Sequence, residues 1–163
     1  MKNLELFELQ TAEVFKILYE VFPVPVDIYF HQVTPKLQAV CLFGEPVDIP
    51  ESKDKFSEYY RSFDIFRQSE EYQRNNDVFQ ASMKWLSDSG YLQFERCSGY
   101  ECFNDVVLTA KGLEVLKCTP ASIDGSLSLG EKLQQEAIST SSDLARDLVK
   151  QALGEGLKLA IGL

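Results

Sequence analysis

Apolar residues recur at helical spacing near the start of the chain: Leu6, Leu9, Val14, Ile17, Leu18 and Val21 follow a period of three to four residues between Leu4 and Phe22. That period places them on one face of a helix. Pro23 and Pro25 end it, because each lacks a backbone donor and pushes the preceding residue out of the helical region. Val24 to Phe30 then reads as extended chain. From His31 to Lys55 the pattern is broken by Pro35, Gly44, Pro46 and Pro50 around one short apolar run, Ala39 to Phe43, which suits a strand. After Ser57, the residues Tyr59, Tyr60, Phe63, Ile65, Phe66 and Tyr72 alternate with charges, a pattern for one or two short helices with an aromatic inner face. Glu58, Asp64, Glu70 and Glu71 outnumber Arg61 and Arg67 there. These rings are therefore expected to pack and not to stack on single-stranded nucleic acid.

The stretch from Asn76 to Cys118 alternates between the two periods in a readable order. Asn76 or Asp77 suits the cap of a helix from Val78 to Ser89, and Gly90 supplies the left-handed residue that closes it. The expected core arc of that helix is Val78, Phe79, Ala81, Met83, Trp85 and Leu86, which turns Asn76, Gln80, Lys84 and Ser87 outward with Asp77 and Asp88. Tyr91 to Arg96 and Phe103 to Leu108 alternate as two strands around a turn at Ser98 and Gly99, and Thr109 caps a further helix, Ala110 to Lys117.

The wording WLSDSGYLQFE followed by VVLTAKGLEVL resembles the winged helix-turn-helix superfamily, firmly over residues 76–118 and more loosely over 6–30 and 57–74. The resemblance implies an α+β fold. It makes residues 1–118 a winged-helix domain with a Pro-rich loop inserted at about 31–56. A linker at 119–130 and a C-terminal helical extension at 131–163 follow. Winged helices commonly read DNA with the outward face of their recognition helix, so the resemblance also singles out Asn76, Gln80, Lys84 and Ser87.

In the C-terminal extension, Ala145, Leu148, Ala152, Gly156, Leu159 and Ala160 fall on one side of a helix that Asp143 can cap, with Asp147, Lys150, Gln151 and Lys158 opposite. Small residues along such a line let a second helix approach closely. Gly154 and Gly156 each cost about 1 kcal/mol relative to Ala inside a helix, which calls for a packing partner. That partner is either the chain's own core or another protein, and the stripe is the expected interaction surface of a homo-oligomer or a heterologous complex.

Charge narrows the choice of partner. The 163 residues carry 25 acids and 16 bases, a net charge of -9, and residues 1–74, 75–118 and 119–163 are each net negative. Binding to DNA or RNA rests on Lys and Arg neutralising phosphates, so nucleic acid is disfavoured as a partner. The expected wing carries Glu95, Glu101 and Asp105 with Arg96. A DNA-binding transcription regulator is the alternative reading.

Catalytic chemistry finds little support. His31 is the sole imidazole, and no nucleophile, Gly-rich loop or carboxylate pair stands at a recognisable spacing from it, so a small enzyme using His31 ranks last. Cys97 and Cys102 flank the expected wing turn, but with Cys41, Cys118 and His31 as the only further soft ligands, no structural zinc site is predicted. No cofactor is expected. No apolar run approaches the ~18 residues of a membrane span. Glu5 and Glu8 also stand where a signal peptide would be apolar. The expectation is a cytoplasmic, non-enzymatic interaction or assembly subunit with one buried core.

Overall fold

Helix α1 (Asn3–Val21) is surrounded by the rest of the fold. In this computed structural model, which describes residues 1–34, 67–99, 101–119, 127–136 and 143–162, Leu6, Leu9, Ala12, Val14, Phe15 and Leu18 of α1 are all buried. So are the polar Glu8, Gln10 and Thr11. The apolar stripe alone would have left those three outside. They are inside because further helices cover the remaining sides of α1.

Strand β1 (Val26–Tyr29) and a short 3-10 turn (Phe30–Gln32) follow. Then comes α2 (Glu70–Asp88), whose first turn is capped by Ser69: its Oγ accepts a hydrogen bond from the Tyr72 N–H at 3.2 Å. The helix thus begins eight residues before the expected Val78, and Asn76 lies inside it and not at its cap. The sequence contains the reason. Tyr72, Asn76, Phe79, Met83 and Leu86 form one uninterrupted stripe at spacings of three and four, all buried, and Glu70 and Glu71 sit favourably at the positive end of the helix dipole. Residues 70–74 therefore belong to α2; the remainder of the helical region expected at 57–74 lies, up to residue 66, outside the described residues. So does the Pro-rich insertion from residue 35 onward.

Gly90 closes α2 as anticipated. Its φ is 78°, its N–H donates to the Ser87 carbonyl, and the Tyr91 N–H donates to the Leu86 carbonyl, both at 2.9 Å. This is the Schellman pattern, which satisfies carbonyls that the helix leaves unpaired. The chain returns through β2 (Leu92–Gln93), β3 (Arg96–Ser98) and β4 (Cys102–Leu108), so the first strand of the expected hairpin is interrupted. Central β4 pairs antiparallel with β1 on one side and with β2 and β3 in turn. Between Val26↔Val106 and Ile28↔Phe103 the register shifts, and Asp105 takes a φ of 54° with its N–H bound to the Asp27 carboxylate at 3.1 Å. Such a bulge kinks a strand and strengthens its twist.

Helices α3 (Ala110–Lys117), α4 (Leu129–Gln135) and α5 (Asp143–Ala160) complete the described chain. The first two have side-chain caps: Thr109 accepts from the Gly112 N–H, and Ser128 and Glu131 form a reciprocal capping box. One hydrophobic cluster joins Phe15, Phe79, Phe103 and Val115 to Leu129, Leu133, Leu148 and Ala152. Helices α4 and α5 pack on α1 and α3, so the C-terminal segment shares the core with residues 1–118 instead of standing apart as an extension. Leu129 also starts α4 inside the region expected to be linker, its N–H held by the Cys118 carbonyl at 2.9 Å. The fold is α+β.

Candidate interaction surface

The inward stripe of α2 decides which of its side chains reach solvent. With Tyr72, Asn76, Phe79, Met83 and Leu86 facing the core, Glu70, Asp77, Ala81, Lys84, Trp85 and Asp88 are exposed. Ala81 and Trp85 were expected in the core. Trp85 is instead 46% exposed, because it falls off the stripe once the stripe starts at Tyr72. Its ring is supported from behind by two others: the Phe7 ring meets it edge-on at 5.4 Å, and the Tyr91 ring stacks at 6.1 Å. Leu4, one turn before Phe7 on α1, is 64% exposed and extends this apolar strip.

The four residues expected to form an outward recognition face separate. Asn76 is buried, and its Oδ1 has no hydrogen-bond partner among the described residues. Gln80 is half-buried, with its Oε1 accepting from the Cys97 thiol at 3.4 Å. Ser87 is half-buried beside the helix end, and Lys84 alone of the four is fully exposed. Arg74, the other cation of α2 itself, turns to the start of α1, where it bonds Asn3 and the Met1 carbonyl.

One acid of the hairpin, Glu101, is engaged within the fold. Glu101 accepts from the Tyr72 hydroxyl and, at 2.8 Å, from Arg67, tying the turn to the start of α2. Burial, reinforced by the Glu101 carboxylate, pushes the Tyr72 hydroxyl well above the usual phenol range. Cys97 lies opposite Phe103 in the ladder and Cys102 opposite Ser98. Neighbouring positions on a strand point to opposite faces, so the two thiols lie on opposite sides of the sheet, and both are free.

His31 stacks on Tyr29 at 5.6 Å. Burial lowers its pKa below the ordinary 6.5, while the Glu101 carboxylate opposes that shift. The unfolded chain therefore binds this proton more readily than the folded one. Stability contributed by neutral His31 is complete above about 6.5 and is lost as the pH falls through the lowered folded value. Urea midpoints should accordingly drop more between pH 7 and pH 5 for wild type than for His31→Gln. Parallel pH profiles would show that the burial of His31 carries no linkage.

In α5, Ala145, Leu148, Ala152 and Gly156 are buried, whereas Leu159 and Ala160 emerge at the helix end. The buried four are occupied within the chain. A Cβ on Gly156 would lie 2.2 Å from the Tyr91 hydroxyl oxygen, and that hydroxyl donates to the Leu153 carbonyl at 3.2 Å. Of the two partners the stripe allows, these four positions meet the chain's own core: small side chains are needed there so that α5 can close on Tyr91. Arg146 lies beside the stripe and reaches Glu8 of α1, Nε to Oε2, at 2.7 Å. No described helix is long and apolar enough to cross a membrane.

Trp85 was misassigned from its residue type, since a large aromatic near Met83 and Leu86 reads as core. Counting the stripe from Tyr72 would have exposed it. Nothing in the spacing of Glu8 and Arg146 announces their pairing. No protein family, characterised protein or solved structure matches the chain.

Proposed function

We propose that this chain is a non-enzymatic winged-helix interaction or assembly subunit of the cytoplasm that contacts protein and not DNA. Support for the winged-helix part comes from the sheet order, with β4 between β1 and the hairpin partner, and from the position of α2 directly before that hairpin, where the superfamily has its recognition helix. The observation that carries the interaction reading is the exposed ridge of α2. It presents Glu70, Asp77 and Asp88 around an exposed Trp85, with the exposed bases Arg74 and Lys84. Such a ridge lacks the surplus of bases that phosphate binding needs, while an aromatic anchor in a partly polar surface suits a protein contact.

Association through the C-terminal helix is retained only for its exposed end. Leu157 and Ile161, one turn apart, are 63% and 61% exposed, and Leu159, on the other side of the helix end, is 38% exposed. A homo-oligomer built on the small-residue stripe would instead require α5 to leave α1.

Fluorescence anisotropy with random and genomic duplexes tests the reading. No binding is expected at physiological salt at protein concentrations of about 1 μM, the tight end of ordinary non-specific complexes. Tighter binding that weakens steeply as salt rises would overturn the reading in favour of the transcription regulator.

A further inference from the structure

We draw no further inference here: the strongest candidate, the apolar patch of Trp85, Phe7 and Leu4 across α1 and α2, has the exposed bases Arg74 and Lys84 among its acids, and nothing in the structure shows what covers it.

Discussion

Arg146→Ala is expected to lower the melting temperature by roughly 10 °C, the scale for stranding one buried charge in a domain of this size. The reason lies in the other partner. The side chain of Glu8 is 4% exposed on α1, and the Arg146 guanidinium pairs with it at 2.7 Å across the α1–α5 contact. Without Arg146, the carboxylate stays in the interior uncompensated. Asp143, which also bonds Arg146, is 90% exposed and can return to water. Exposed pairs on the same helix provide the comparison: Lys150 with Asp147 and Lys158 with Glu155 are solvated, and removing either lysine should leave the melting temperature within about 2 °C, in keeping with the small worth of surface ion pairs. Replacing both partners, Glu8→Leu with Arg146→Met, should recover most of the loss, because two apolar side chains leave no charge unpaired. Thermal unfolding of the singles and the double, read as a mutant cycle, checks this. An Arg146→Ala protein as stable as Lys150→Ala would mean that the pair does not hold α5 to α1.

Gly156→Leu should destabilise the folded chain by up to about 2 kcal/mol, the overpacking cost less the helix-propensity gain. A Cβ at this position would meet the Tyr91 hydroxyl at 2.2 Å and its ring carbons at 2.6 and 2.7 Å. The ring has little freedom to yield, since Phe15 packs at 6.0 Å, Trp85 stacks on it and the Lys111 ammonium lies 4.3 Å from its centroid. Gly154 sits two residues earlier in open space, so Gly154→Ala should stabilise by up to about 1 kcal/mol through propensity alone. Two glycines in one helix are thus expected to respond with opposite signs. Urea unfolding at several protein concentrations reads the result: a loss independent of concentration places the contact within one chain, whereas a concentration-dependent loss would restore the stripe to an intermolecular role. A Gly156→Leu protein as stable as wild type would show that α5 does not close on Tyr91.

Local signals were sufficient wherever a few neighbouring residues decide the backbone. Pro23 and Pro25 mark the end of α1, Gly90 the end of α2, and Thr109 the start of α3, because a missing donor, a left-handed residue and a capping hydroxyl act within one helical turn. The period along α5 likewise identified its small-residue face. What that face meets could not be read from it: close approach is demanded equally by the chain's own Tyr91 and by a second protein, and only the three-dimensional packing distinguishes them. The same holds for Trp85, whose exposure depends on how far α2 extends toward Glu70, and for Asn76, which that longer helix turns inward. Burial on all sides of α1 is a property of its neighbours, and the pairing of Glu8 with Arg146 joins residues 138 apart in sequence. Short-range rules fix where elements begin, end and show an apolar face; the partner of each face is set by the competition among all faces for the same core, which is settled only when the whole chain is packed.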